Sequence, residues 1–418
     1  MKRSFEAFHS ENTRSVRTHH TSSRTHLDVS DIYRFDGNFP VFQLPKLIGS
    51  FSLDNRRKYH NDNSELRYIS LPGNGTETTW KVHFDLTVGV ENAIEKDSDA
   101  IKNHMLDDLL TWIVQERKLK NPMFVDGQSP QQRVRGIDFV CFRGLLTLII
   151  ATPYESRAKD KSWKLVATRY QNVIYLWQIK EEDDERRSFR HNPLQHQMSI
   201  WGFKFEQYLC AGLFIQMTVF DRHYNGFLLT DSENSEPDPK QQLDTNAEFC
   251  CVLKTRLGNH HLLYGAEIDA VKKNCRPPWN NLQDFVELKT NRFIENERQQ
   301  GNFKRSFSFF GFLFKIVTYF YGTSRFKLLK WWAQSFLVGI PTVVCGYRND
   351  RGIVSKLESI PVKNMPSMAK VSHFCITCYN YLMINVAPVL LSEYLQFFFF
   401  WGLELYKIVG IIWLSRIP

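Results

Sequence analysis

Two short stretches constrain the fold of this chain most, because their apolar residues alternate as in β-strands while acidic side chains stand between them. They are GAEIDAV, residues 265–271, and DFVELKT, residues 284–290. Apolar residues alternate with others in both, which is typical of strands that border a core. Residues two apart in a strand point to the same side, and each stretch holds charged residues at that spacing. If the two strands are neighbours, the sequence predicts three carboxylates and one lysine in one small volume.

The four charged residues suggest chemistry at a phosphorus centre. They are Glu267 and Asp269 in the first stretch, and Glu287 and Lys289 in the second. Clustered carboxylates repel one another and take up protons unless a cation holds them. Hard divalent ions such as Mg²⁺ or Mn²⁺ suit such oxygen ligands, and two ions can flank a phosphorus atom. Taken alone, each motif more often marks the solvent face of an edge strand, so the interpretation depends on the pair.

Helical and strand-like segments alternate through the middle of the chain. The spacing of apolar residues predicts helices over residues 99–117, 197–211 and 326–338. Residues 163–179 predict two paired strands around a tight turn. Sheets with interleaved helices predict the α+β (mixed α/β) class, with a mixed β-sheet core flanked by helices.

The composition indicates a folded, basic protein with reduced cysteines. With 418 residues, 43% of them hydrophobic, the chain suffices for one large domain or two ordinary ones. The formal net charge of +9 favours an anionic partner, nucleic acid or an acidic membrane surface. Eight cysteines in a chain of this length are typical of intracellular thiols. The one C-x-x-C, at residues 375–378, lacks the second ligand pair that a structural zinc site needs.

The two ends of the chain differ from its middle. Residues 1–32 are basic and rich in Ser and Thr, which predicts a disordered arm. Residues 369–418 form a tail with a strongly apolar end. Its apolar side chains favour membrane insertion, but Glu404 and Lys407 oppose insertion by a comparable free energy. We therefore expect no membrane anchor.

Further motifs, taken together in chain order, carry a resemblance to a known family. They are FSLDNRRKYH, FRGLL, ATPYE, GFKFEQY, GAEIDA, VELKT, LLKWWAQSF and CGYRN. An acid near the end of one strand followed by Glu-x-Lys on the next is similar to the core of PD-(D/E)XK nucleases. The whole set resembles the DXO/RAI family of RNA 5′-end decapping and exoribonuclease proteins, over about residues 35–366.

The resemblance implies a fold, an activity and partners. The fold is PD-(D/E)XK nuclease-like, in a single large domain. The activity is a metal-dependent hydrolysis that removes 5′ pyrophosphate, incomplete caps or NAD caps from RNA, with 5′→3′ exoribonuclease activity in some members. The cofactor is Mg²⁺ or Mn²⁺, as two ions. The partners are RNA 5′ ends and, for some members, a nuclear 5′→3′ exoribonuclease, which implies a nuclear location, with the cytoplasm as a second one.

The resemblance also implies roles for individual residues. The metal ligands are four carboxylates and one main-chain carbonyl: Glu206, Glu267, Asp269, Glu287 and Leu288. The catalytic residues are Asp269, Glu287, Lys289 and Gln334, of which the last two position the attacking water. The residues that hold the substrate are Arg143, Lys289 and Gln334, with Arg143 on a phosphate. The alternative interpretation is a catalytically impaired module of the same fold that binds RNA ends or an exoribonuclease, although the complete acidic set favours an enzyme.

The family pattern is interrupted twice and stops before the end of the chain. Residues 212–230 and 306–325 are rich in aromatic residues, and removing them restores family-like continuity on both sides. We therefore predict a catalytic domain over residues 33–368 with two insertions, followed by a non-family tail over residues 369–418. Our hypothesis is that the insertions stem from unspliced introns or a faulty gene model, which a transcript without them would support.

Overall fold

The structure, a computed structural model, describes the parts of the chain that build two sheets and their helices. These are residues 41–73, 77–97, 105–118, 136–152, 163–179, 193–212, 236–273, 275, 279–293 and 327–368, with the backbones of strands at 24–28, 215–221, 226–231 and 408–415. Four predictions lie wholly or mostly outside them: the basic arm over residues 1–32, the C-x-x-C, the insertion over residues 306–325, and the tail over residues 369–418, of which only 408–415 are described. No helix among the described residues is long and apolar enough to cross a membrane.

Five α-helices lie in the described part of the chain, two more than the three that the sequence predicts. They are α1 (Asp107–Lys118), α2 (Arg143–Ala151), α3 (Pro193–Leu209), α4 (Lys327–Val338) and α5 (Met365–Met368). The helices predicted over residues 197–211 and 326–338 are confirmed as α3 and α4. The helix predicted over residues 99–117 begins only at Asp107, because the backbone of Met105 has a positive φ of 37° that no α-helix accommodates.

A mixed nine-stranded sheet forms the first half of the fold. In sheet order its strands are β1 (Arg24–Asp28), β18 (Ile408–Ser415), β7 (Trp163–Tyr170), β8 (Val173–Ile179), β6 (Phe139–Phe142), β13 (His260–Glu267), β12 (Glu248–Leu257), β2 (Lys46–Leu53) and β3 (Tyr59–His60). The hairpin predicted within residues 163–179 is confirmed, because β7 and β8 pair antiparallel. Its two turn residues, Gln171 and Asn172, both have positive φ, as a tight hairpin turn requires.

A mixed seven-stranded sheet forms the second half. In sheet order its strands are β5 (Thr79–Asp85), β17 (Ile353–Pro361), β16 (Thr342–Arg348), β15 (Phe285–Arg292), β14 (Ala270–Lys272), β4 (Arg67–Ile69) and β9 (Cys210–Gly212). Strands β10 (Ile215–Asp221) and β11 (Gly226–Asp231), which cover most of the first predicted insertion, pair with each other and with no other strand among the described residues.

The stretch GAEIDAV is split between the two sheets, so the prediction of one strand over residues 265–271 is wrong. Strand β13 ends at Glu267 in the first sheet, and β14 begins at Ala270 in the second. Between them the main-chain N–H of Ile268 still donates to Phe249 of the first sheet, while the carboxylate of Asp269 accepts a hydrogen bond from the second. The chain therefore changes sheets at the acidic motif, and β14 brings Asp269 beside β15.

Close packing at a glycine positions the start of α2. Gly265 of β13 lies opposite Phe142 of β6 in a parallel pair, and α2 begins at the next residue, Arg143. A Cβ on Gly265 would lie 2.6 Å from Cε1 of Phe142. The absence of a side chain at Gly265 thus lets the Phe142 ring pack on β13 and sets where Arg143 leaves the sheet.

One hydrophobic cluster joins both sheets beneath α2 and α4. It includes Tyr264 of β13, Phe285 of β15, Leu146 of α2 and Leu337 of α4. The phenolic O–H of Tyr264 also donates a 2.5 Å hydrogen bond to the main-chain carbonyl of Leu337, which ties α4 to the first sheet. These contacts fix both helices over the seam between the two sheets, where the charged residues gather.

Candidate active site

Glu287 lies at the centre of a buried group of charges. Its side chain is only 1% exposed, on β15, and each of its two oxygens contacts a different cation. Oε2 lies 3.1 Å from Nη1 of Arg143, and Oε1 lies 2.6 Å from Nζ of Lys289. Burial opposes ionisation of this carboxyl, but the charges of Lys289 and Arg143 outweigh burial and lower its pKa. Glu287 is therefore a carboxylate at neutral pH.

Lys289 and Arg143 both remain charged in the same place. Burial on its own disfavours each charge, but the neighbouring carboxylates of Glu287 and Asp269 raise the pKa of both groups. The ammonium of Lys289 therefore acts as a cation and hydrogen-bond donor, and it cannot serve as a general base near neutral pH.

Asp269 reaches the group from the crossover between the sheets. Its Oδ2 accepts a 2.7 Å hydrogen bond from the main-chain N–H of Leu288 and lies 3.9 Å from Nζ of Lys289. Burial, followed by the charge of Glu287, raises the pKa of Asp269 to about 7. Asp269 is therefore harder to ionise than an ordinary aspartate, and a further cation beside it would favour its carboxylate form.

Glu206 approaches the group from α3. Burial, followed by the charge of Asp269, raises the pKa of this carboxyl to about 8, against the opposing charges of Arg67 and Lys289. In the absence of another cation, Glu206 is thus mostly protonated at neutral pH. Gly202 lies one turn earlier on the same helix, and no described residue comes within 4 Å of where its Cβ would stand, so the described part of the chain leaves the helix surface beside Glu206 open.

The remaining predicted residues lie around this group. Glu267, exposed at the end of β13, interacts electrostatically with Arg143, Asp269 and Glu206. The half-buried Gln334 lies on α4, and its main-chain carbonyl is 3.5 Å from Nη1 of Arg143. Thus the structure brings every predicted site residue to the seam between the sheets, from five separate segments of the chain.

The donor set fits a hard divalent cation, although its side chains do not surround one point. Among the described residues, no three His, Cys, Asp or Glu side chains are grouped closely enough to hold a metal ion. The reason is local, because the Lys289 ammonium lies between the carboxylates of Glu287 and Asp269 and neutralises part of their charge. Burial and the neighbouring carboxylates raise the pKa of Asp269 and of Glu206, so an added cation would favour the ionised form of both. Carboxylate and carbonyl oxygens are the ligands that Mg²⁺ or Mn²⁺ prefers.

Two arginines near the site were missed at the sequence level. Arg57 has a left-handed backbone with φ 60°, and its Nη1 contacts Glu248 Oε2 at 2.6 Å and the Asn246 carbonyl at 3.0 Å. Its charge also acts on Glu267. Arg67 on β4 acts on Glu206. The first lies within FSLDNRRKYH, which reads as a charged turn, so only its strained backbone and buried contacts distinguish it from a surface arginine.

A comparison of the whole chain with known protein families settles its affiliation. The profile of the RAI1-like PD-(D/E)XK nuclease family matches residues 43–322 and, in a second match, residues 321–387. The chain belongs to this family. The second match extends past residue 368, the predicted end of the catalytic domain.

Individual members of the RAI1-like nuclease family agree with this result. The human decapping and exoribonuclease protein is 33% identical over 332 residues, which cover 79% of this chain and 70% of that protein. The decapping nuclease RAI1 of Aspergillus fumigatus is 29% identical over 352 residues, which cover 82% of this chain and 80% of that protein.

Solved structures of RAI1-like nucleases share the fold. Candida albicans Rai1 in complex with pU5-Mn²⁺ has a TM-score of 0.63 at 19% identity and covers 87% of this chain and 85% of that one. Scheffersomyces stipitis Rai1 in complex with (3′-NADP)⁺ and calcium ion has a TM-score of 0.61 at 20% identity. The match covers 88% of this chain and 86% of the Rai1 chain.

Family membership confirms the resemblance, the fold class and the enzyme class. The mixed sheets flanked by helices are those of the PD-(D/E)XK nuclease fold, and the chain is a hydrolase of that family. The limits of the arm, the catalytic domain, the insertions and the tail stay predictions. So do the roles of the individual site residues, which the geometry now describes.

Proposed function

We propose that this chain is a metal-dependent hydrolase that removes pyrophosphate, incomplete caps or NAD caps from RNA 5′ ends. The proposal is supported by the charge group at the seam, in which Glu287 pairs with Arg143 and Lys289, while burial and neighbouring carboxylates raise the pKa of Asp269 and of Glu206. Membership in a family that contains decapping nucleases gives that group its substrate.

Each side chain has a task that follows from its charge and position. Arg143 presents a guanidinium at the start of α2, which suits a phosphate oxygen of the substrate. Lys289 stays protonated and therefore stabilises negative charge on the phosphorus centre or orients the attacking water. Gln334, whose own main-chain carbonyl lies 3.5 Å from Nη1 of Arg143, carries an amide that can hold this water.

The carboxylates of Glu206, Glu267, Asp269 and Glu287, with the carbonyl of Leu288, would hold divalent metal. We propose Mg²⁺ or Mn²⁺ as two ions; when bound, they supply a polarised water and positive charge at the leaving oxygen. Because Glu206 and Asp269 have raised pKa values when no metal ion is bound, metal binding releases protons from these side chains.

The biological setting is proposed on the family resemblance and the basic net charge. We propose a nuclear location, with the cytoplasm as a second one. In this setting a nuclear 5′→3′ exoribonuclease is the proposed protein partner, because removal of a blocked 5′ end produces the substrate that such an exonuclease degrades. The capacity of this chain for its own 5′→3′ digestion belongs to the same proposal.

The test is the release of 5′-end products from triphosphate-, GpppN- and NAD-capped RNAs, in Mn²⁺, in Mg²⁺ and in EDTA. The wild-type chain is compared with the double variant Asp269→Ala, Glu287→Ala. A matched control, Glu236→Ala, Asp350→Ala, removes two carboxylates that are exposed and outside the site.

Product from the wild type and the control, with metal, is the expected result, and the preferred cap is read from the three rates. Product that persists in EDTA or in the site variant would contradict the proposal. An inactive wild type that nevertheless binds capped RNA would favour the alternative function, a catalytically impaired module that binds RNA ends or an exoribonuclease.

A further inference from the structure

Arg67 lies on a strand between two segments that each carry an acidic residue of the site. Its strand, β4, lies between β14, which begins directly after Asp269, and β9, which begins directly after α3 and so follows Glu206. Tyr68 pairs with Val271 of β14 on one side, and Arg67 pairs with Gly212 of β9 on the other. Main-chain pairing therefore fixes the position of Arg67 relative to both acidic residues.

The side chain of Arg67 points toward the helix that carries Glu206. Residues two apart in a strand share a face, so Arg67 lies on the same side of β4 as Ile69. Ile69 belongs to the hydrophobic cluster that contains Phe205 and Leu209 of α3. Glu206 is the next residue after Phe205, and the charge of Arg67 acts on this carboxyl and on the thiol of Cys210.

Arg67 differs from the other cations at the site because nothing in the described part of the chain holds it. Arg143 and Lys289 pair with Glu287, and Arg57 pairs with Glu248. Within the described ranges, the side chain of the half-buried Arg67 makes neither a hydrogen bond nor an ion pair. Its five N–H donors are thus available to a ligand, and their planar fork matches two oxygens of one phosphate.

We propose that Arg67 binds a phosphate oxygen of the RNA 5′ end on the Glu206 side of the charge group and so selects 5′ ends that carry a chain of phosphates. This inference rests on the proposed function. A triphosphate end or a cap has several phosphates in a row, and Arg143 is suited to only one of them. A second guanidinium at a fixed position provides for another phosphate, whereas a 5′-hydroxyl end has none to offer.

The experiment measures binding of three RNAs of one sequence, with 5′-triphosphate, 5′-monophosphate and 5′-hydroxyl ends. Fluorescence anisotropy is recorded in Ca²⁺ in place of Mg²⁺ or Mn²⁺, and the RNA is recovered to verify that it is intact. The wild type is compared with Arg67→Ala and Arg67→Lys. Arg56→Ala is the matched control, since it removes an exposed arginine from the same segment of the chain.

We expect Arg67→Ala to weaken binding of the triphosphate RNA by roughly ten- to hundredfold, the loss of one charge-assisted bidentate contact, and that of the hydroxyl RNA by less than about twofold. Arg67→Lys keeps the charge but not the fork, so it should retain part of the preference. If the alanine variant does not fold, the lysine variant alone carries the test. The melting temperature and the Ca²⁺ affinity should match those of the wild type.

Two results would overturn the inference. A variant that keeps the wild-type preference for the triphosphate end would sink the role of Arg67 and leave the proposed function standing. An affinity that falls equally for all three RNAs, or a changed affinity for Ca²⁺, would mean that Arg67 only neutralises Glu206. A wild type that binds triphosphate and hydroxyl RNA equally would instead contradict the proposed function itself, and the inference would fail with it.

Discussion

The metal-free chain is expected to lose stability as the pH rises from about 5 to about 8. Asp269 and Glu206 both have raised pKa values in the folded protein, about 7 and about 8. Between the ordinary pKa of these acids and the raised values, the folded state binds more protons than the unfolded state. Stability is therefore fully present at low pH and falls as the pH passes through the raised values.

The magnitude follows from the shift of each group. A rise in the pKa of Asp269 from 3.8 to about 7 costs the folded state roughly 4 kcal/mol once the carboxyl is ionised. Glu206 rises from 4.5 to about 8, a similar amount. Because each carboxylate raises the pKa of its neighbour, the two costs are not additive, and we expect a total loss of several kcal/mol.

Urea denaturation followed by tryptophan fluorescence, in EDTA at pH 5, 6, 7 and 8, measures this loss. The variants Glu206→Gln and Asp269→Asn isolate it, since each removes one ionisable carboxyl and should flatten the decline. Saturating Mn²⁺ should restore stability most at pH 8, where both carboxylates are available as ligands. A stability that is flat or increases from pH 6 to 8, with the same slope in the variants, would refute the account of the charge group.

Two other predictions concern stability. Glu287→Gln leaves Arg143 and Lys289 without their buried partner and should cost about 3–5 kcal/mol in urea denaturation at pH 7. The control Glu358→Gln, which breaks a partly exposed 3.0 Å pair with Lys356, should cost less than about 1 kcal/mol, and equal losses would argue against a buried pair. Gly265→Ala should cost about 1–3 kcal/mol, because its Cβ would press on the ring of Phe142. Gly144→Ala, where a Cβ meets nothing within 4 Å, should not destabilise the chain, so a harmless Gly265→Ala would contradict the packing described.

Sequence periodicity was sufficient for the elements whose packing is regular. The apolar residues of α3 and α4 recur at helical spacing, and Gln171-Asn172 indicates the turn between β7 and β8. The crossover at GAEIDAV could not be found in this way. Alternation of apolar and acidic residues continues through residues 265–271, and only the pairing partners on either side show that the chain changes sheets between Glu267 and Ala270.

The predicted site residues could be named from short motifs, but their electrostatics could not. The spacing in VELKT places Lys289 on the same face as Glu287, but it does not indicate that their 2.6 Å pair is formed with a Glu287 side chain only 1% exposed. The side chain of Arg67 has no hydrogen-bond or ion-pair partner among the described residues, and its position depends on β4 lying between β14 and β9, which come from distant parts of the chain. Which cation pairs with a carboxylate, and which one can bind a ligand, depends on the pairing of distant segments. A short sequence motif contains no information about that pairing.

The most direct test of the central claim is an anomalous difference map at the manganese edge, from crystals of the chain grown with Mn²⁺ and a 5′-monophosphate oligonucleotide. The account predicts peaks at the seam between the sheets, contacted by the carboxylates of Glu206, Asp269 and Glu287, with the Lys289 ammonium moved away from Asp269. The absence of a peak there at saturating Mn²⁺, or peaks only at other sites, would contradict the claim that this charge group is a metal centre for hydrolysis of RNA 5′ ends.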